Sequence, residues 1–215
     1  TMQGNLNLDG TAHFAISPTL KMRITARDID LRTCMEQCEN FGQEVVTADN
    51  MRGRLSGRVV VHAFWDERNE FRMDRLRAYA DVRATNGEII GLKMLEDFST
   101  FVHLEDLRRV RFTNLHNYLE IRDRKLYLPA MLIQSNALNM TLSGTHSFDN
   151  DIDYKIKVNA GQTLLNRIKR HDPGLDPLPA KDGWFNVFYT IVGTVDQYDM
   201  KRGKKAVVGE FERSE

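Results

Sequence analysis

Apolar residues recur at every second position through most of the chain. The stretch "NLNLDGTAHFAIS" puts Leu6, Leu8, Ala12, Phe14 and Ile16 on one side, and "LKMRITA" does the same with Leu20, Met22, Ile24 and Ala26. A side-chain period of two describes a strand with one apolar and one polar face. Asp9-Gly10 supplies the residues of a tight hairpin turn, and Pro18 marks a connection. "GRLSGRVVVHAFW" continues with Leu55, Val59, Val61 and Ala63, and "RLRAYADVRA" with Leu76, Ala78, Ala80, Val82 and Ala84. Asn86-Gly87 is a second turn signal.

From Arg108 onward the pattern is almost all strand. "VRFTNL", "YLEIRDRKLYLPAML" and "NMTLSGTHSFDNDIDYKIKV" follow one another, with Asp123-Arg124 as a turn and Pro129 as the mark of an edge or bulge. In the last of these, Met140, Leu142, Phe148, Ile152, Tyr154, Ile156 and Val158 share a face, and Asp151, Asp153, Lys155 and Lys157 point away from it. "WFNVFYTIVGTV" is apolar on both faces and predicts the most deeply buried strand. After Val195 the alternation fails, which predicts a charged, frayed tail over 201–215, with "AVVGEF" offering an edge strand.

Three segments change period. "DIDLRTCMEQCENFG" aligns Leu31, Cys34, Cys38 and Phe41 on a helical stripe, capped by Asp30 and stopped by Gly42. "LKMLEDFSTFVHL" aligns Leu92, Leu95, Phe98 and Val102, and "GQTLLNRIKR" predicts a third helix. Such short helices need a sheet to pack on or to cap. "HDPGLDPLPAKDG" reads as a long loop, because three prolines and two glycines prevent regular structure.

The 215 residues suffice for one large β domain, taken as residues 1–200. Thirty basic and thirty acidic side chains cancel, so no global field draws in nucleic acid. Nothing approaches the roughly 20 apolar residues of a membrane-spanning helix. The chain opens in what reads as the middle of a strand, which predicts a piece of a longer protein. Cys34 and Cys38 lack further ligands for a zinc site and read as small buried apolar residues.

Catalytic chemistry has little to stand on. No H-E-x-x-H, G-x-S-x-G, G-x-G-x-x-G or P-loop pattern occurs. His13, His62 and His146 fall on separate strands and His116 in a loop; His103 with Glu105 and Asp106 is the best metal or acid–base cluster, against the simpler reading of a capped helix end. "SFDNDIDY" lacks the central glycine and distal glutamate of a calcium loop. No catalytic residue, metal or cofactor is assigned.

The segments "DIDLRTCMEQCENFGQ", "TNGEIIGLKMLEDFSTFVHLEDLRRVRFTNLHNYLEIRDRKLYLPAMLIQSNALNMTLSGTHSFDNDIDYKIKV" and "VGTVDQYDMK" together resemble the C-terminal region of the AsmA-like family. The similarity is one of strand, glycine and turn positions along nearly the whole chain. After G-T-V-D the family commonly continues with Asp-Pro, whereas this chain has Gln197-Tyr198-Asp199.

The resemblance implies a Gram-negative envelope protein, anchored in the inner membrane by an N-terminal helix outside this chain and projecting into the periplasm. It also implies links to outer-membrane biogenesis and a likeness to bridge-like lipid-transfer proteins. The expected fold is mainly β, an antiparallel meander curled into a trough or partly open barrel, with about three short helices on it or capping it. The expected partners are a phospholipid or other acyl-chain lipid and an upstream β-rich part of the same protein. Leu126, Leu128, Met140, Leu142, Phe148, Ile152, Tyr154, Ile156 and Val158 are the lipid-facing candidates. The alternative is a structural or partner-docking terminal domain in which the same residues close a core.

Overall fold

A computed structural model describes residues 3–42, 46–100, 104–159, 186–203, 207–208 and 211. Among these residues ten strands follow one another in one antiparallel meander, each paired with its neighbours in sequence. They are β1 (Asn5–His13), β2 (Thr19–Asp30), β3 (Met51–Phe64), β4 (Arg77–Ile90) and β5 (Arg109–Arg122), then β6 (Lys125–Gln134), β7 (Asn139–Ser147), β8 (Asp151–Asn159), β9 (Asn186–Thr194) and β10 (Tyr198–Arg202). The short helices α1 (Leu31–Gln37), α2 (Lys93–Glu96) and α3 (Leu104–Arg108) join strands of the first half. No described helix is long and apolar enough to cross a membrane. The fold is therefore mainly β with about three short helices, and the sheet is open and uncurled. Where the resemblance implies a trough or partly open barrel, β1 and β10 stand apart at the two ends and among the described residues no pairing draws the sheet shut.

The two rims of the sheet differ. One carries only hairpin connections, between β1 and β2, β3 and β4, β5 and β6, β7 and β8, and β9 and β10. Among the described residues all three α-helices lie in connections on the opposite rim. Asp30 caps α1 as its position in the sequence predicts, its carboxylate accepting from the Thr33 amide at 2.8 Å. The helix ends sooner than its apolar stripe suggests, because Glu39, Asn40 and Phe41 turn to positive φ. Cys34 and Cys38 are free and half-buried, and burial pushes the Cys34 thiol up to about 11.

Several expected turns are strand interiors. Asp9 and Gly10 pair with Arg23 and Met22 in the middle of β1, since the apolar phase runs unbroken from Leu8 through Gly10 to Ala12. Asn86-Gly87 forms a bulge in β4: Asn86 has φ 48°, and the Phe112 ring lies so close over Gly87 that an added Cβ would stand 2.1 Å from it. His116, expected in a loop, lies within the single long strand β5. Asp123-Arg124 does form the β5–β6 turn, both residues at positive φ. Pro129 lies at a bulge in the pairing of β6 with β7. On the other side of β6, pairing with β5 extends only over Lys125–Tyr127.

Two expectations near the C-terminus need correction. In β9, Val187 and Ile191 are buried but Val192 is 48% exposed, because it shares the polar side of the sheet with Asp153. The alternation that fails after Val195 resumes at once, and β10 pairs with β9 from Tyr198 to Arg202. The predicted helix "GQTLLNRIKR", the proline-rich loop, His103, His171, Trp184 and Phe185 lie outside the described residues.

Candidate functional site

Residues facing each other across a ladder point to the same side of a sheet, so the registers identify its two faces. Gly10, Met22, Val61, Ala78, Ile121, Leu126, His146, Ile152, Gly193 and Tyr198 stand in one row across all ten strands. One step along the strands, Leu8, Ile24, Val59, Ala80 and Leu119 form a second row. Leu128, Gly144, Tyr154, Ile191 and Met200 continue at the same level across β6 to β10. This face is apolar from one edge of the sheet to the other.

Its cover is unequal. Phe98 and Leu107, from the segment holding α2 and α3, lie on the β7–β10 half in a cluster with Met140, Ile152, Ile156, Val158 and Ile191. Phe98 meets the Tyr189 ring edge-on at 5.5 Å, and the Tyr198 hydroxyl donates to Asp97 Oδ2 at 2.5 Å. Burial, with that bond, pushes Tyr198 up to about 12. Leu31 of α1 covers a second cluster at the helical rim, with Ala84 and Phe112. Met22, Ile24, Val59, Val61, Leu119, Ile121, Leu126 and Leu128 belong to neither cluster and stay half-exposed, while Leu6 and Leu8 are exposed.

The sequence-derived candidates thus separate. Met140, Ile152, Ile156 and Val158 are buried against the helical segment, and Leu142 and Tyr154 pack beside them. Leu126 and Leu128 lie on the uncovered half. Phe148 is beyond the end of β7, in the turn to β8, where its amide donates to the Arg124 carbonyl at 2.9 Å. The residues that dominate the uncovered half, Met22, Ile24, Val59 and Val61, are plain in the alternation, but alternation carries no signal of what lies above a face.

No family model matches the chain, and no curated protein or solved structure matches it. The site therefore stands on its geometry.

Polar atoms interrupt the apolar face at two places. Asn117, opposite Val82, is buried and its Nδ2 has no hydrogen-bond partner. The other is His146, which places Nδ1 3.1 Å from the Tyr154 hydroxyl. Burial holds the His146 pKa below the usual imidazole value and pushes Tyr154 up to about 12. Each buried donor or acceptor left unpaired costs about 1–3 kcal/mol, so such atoms favour a ligand that can satisfy them.

The opposite face is polar and aromatic. Tyr79, Glu120, Tyr127, Thr145 and Asp153 share a row, with Tyr118 beside them. The Arg122 guanidinium stacks 3.9 Å from the Tyr127 ring centre, and His116 Nε2 lies 2.7 Å from Asp81 Oδ1. Among the described residues no three His, Cys, Asp or Glu side chains gather as a metal set. Glu105 and Asp106 are exposed in the first turn of α3.

Proposed function

We propose that this chain is a non-enzymatic lipid-binding module, a β-rich part of an AsmA-like envelope protein that acts in the periplasm in lipid traffic or outer-membrane biogenesis. One observation carries the reading: the apolar face spans all ten strands, yet among the described residues the helical layer covers only the β7–β10 half and the end of β3–β5 near α1. A half-exposed wall of Met22, Ile24, Val59, Val61, Leu119, Ile121, Leu126 and Leu128 suits an acyl chain, because its attraction to such a wall is non-directional and needs no specific residue. The Asn117 Nδ2 donor then meets a carboxyl or ester oxygen of the same lipid.

The test is solvent extraction of the purified chain followed by mass spectrometry, with titration of a fluorescent fatty acid. Bound phospholipid or saturable uptake supports the proposal. A lipid-free extract together with no uptake refutes it. The docking alternative keeps the closed cluster under Phe98 and Leu107 as its favouring observation, and it predicts that neither lipid signal is seen.

A further inference from the structure

The hairpin rim has an apolar corner. In the β1–β2 connection Phe14 is 87% exposed and Ile16 77%, the two most exposed of the large apolar side chains described. The neighbouring β3–β4 connection holds Trp65 and Phe71, bridged with ring centres 5.4 Å apart, and Met73 beside them. The Trp65 amide donates to the Pro18 carbonyl at 2.9 Å, which ties the two tips together. Farther along the same rim the connections are charged, with Arg124 and Asp149 paired at 2.7 Å.

We propose that this corner dips into the surface of a lipid bilayer, resting on the lipid-binding reading above. Projecting aliphatic and aromatic side chains on ordered hairpins, with a Trp and arginines at the same level, have the make-up of an interfacial membrane contact. The corner also adjoins the uncovered half of the apolar face: the row of Ala12, Leu20 and Ala63 leads from the tips to Met22 and Val61. A lipid leaving the bilayer at this corner passes onto the face without crossing charged surface. Arg68, Arg72, Arg75 and Arg77 are matched by Asp66, Glu67, Glu70 and Asp74, so attraction to anionic headgroups is not the driving force.

Co-sedimentation of the full chain with phosphatidylcholine vesicles tests this. The wild-type chain sediments, equally well when phosphatidylglycerol is added and with little loss in high salt. Phe14→Ser with Ile16→Ser lowers partitioning about a hundredfold, at upwards of tenfold per apolar side chain. The exposure of both residues leaves folding intact, so the double variant keeps its melting temperature and its fatty-acid uptake from solution. Vesicle binding by the double variant equal to wild type overturns the proposal. So does a wild-type chain that takes up fatty acid but stays in the supernatant, which leaves the lipid-binding face standing. Vesicle binding without fatty-acid uptake removes the face and supports the rim.

Discussion

Charge placed on the apolar face has opposite consequences in its two halves. In the uncovered half, Ile24 lies between Leu8 and Val59 and is half-exposed. Ile24→Glu leaves the carboxylate in water and forfeits only part of a side-chain burial, on the order of 1 kcal/mol. In the covered half, Val158 is 0% exposed beneath the helical segment. Val158→Glu leaves a charge with no water and no partner, at a cost of several kcal/mol, which is comparable with the whole stability of a domain, about 5–15 kcal/mol.

The ligand side has its own magnitude. Six strands at about 4.8 Å spacing make the uncovered wall roughly 24 Å wide. About twelve methylenes lying on it, each half-covered, gain on the order of 5 kcal/mol at ~0.8 kcal/mol for full transfer of each, a sub-millimolar Kd. A carboxylate beneath that chain loses hydration on binding, so Ile24→Glu abolishes measurable uptake while the urea midpoint moves little. Val158→Glu unfolds the chain. Urea unfolding followed by far-ultraviolet circular dichroism gives the first quantity, and titration of a fluorescent fatty acid gives the second. Unchanged uptake in a folded Ile24→Glu chain refutes the reasoning, as does a soluble, cooperatively folded Val158→Glu chain.

Asp30→Ala removes the cap on α1 and costs about 1 kcal/mol, read as a lower urea midpoint with uptake unchanged. Asn117→Leu removes an unpaired buried donor and raises the melting temperature, while it weakens the preference for a fatty acid over the hydrocarbon of the same length; an unchanged preference removes Asn117 from the site. His146 titrates below the usual imidazole range because burial disfavours its charged form. Its protonation therefore favours the unfolded chain: its contribution is complete above the unfolded pKa of about 6.5 and is lost as pH falls through the lower folded value. His146→Leu flattens the stability profile below about pH 6.5, measured as urea midpoints over a pH series.

The fold was legible to the extent that alternation fixes it. Leu20, Met22, Ile24 and Ala26 place β2, and Met140 and Leu142 with Ile152 to Val158 place β7 and β8, because a sheet with one buried face needs that phase. Turns are less legible, since Asp-Gly and Asn-Gly serve a strand as readily as a hairpin when a neighbour needs the space. Gly87 is glycine so that the Phe112 ring can lie on its backbone, a contact 25 residues away in sequence. Burial was the least legible property. Ile24 and Ile156 occupy equivalent positions in the alternation, yet only Ile156 has Phe98 and Leu107 above it.

That asymmetry separates Met140, Ile152, Ile156 and Val158 from Leu126 and Leu128, although all six share one apolar face. An alternating strand is equally suited to a packed core and to an apolar wall, and the two are separated by what the helical connections reach. The connection from β4 to β5 holds α2 and α3, and its Phe98 and Leu107 lie over β7 to β10. It seals Met140, Ile152, Ile156 and Val158 with Phe98 and Leu107, and leaves Leu126 and Leu128 outside the cluster. A ligand in the β7–β10 half would have to displace Phe98 and Leu107, which are 1% and 0% exposed. A ligand on the part of β1 to β6 that holds Met22, Ile24, Val59, Val61, Leu119 and Ile121 displaces no side chain of either cluster, and that open apolar part is therefore where an acyl chain gains the most at the least structural cost.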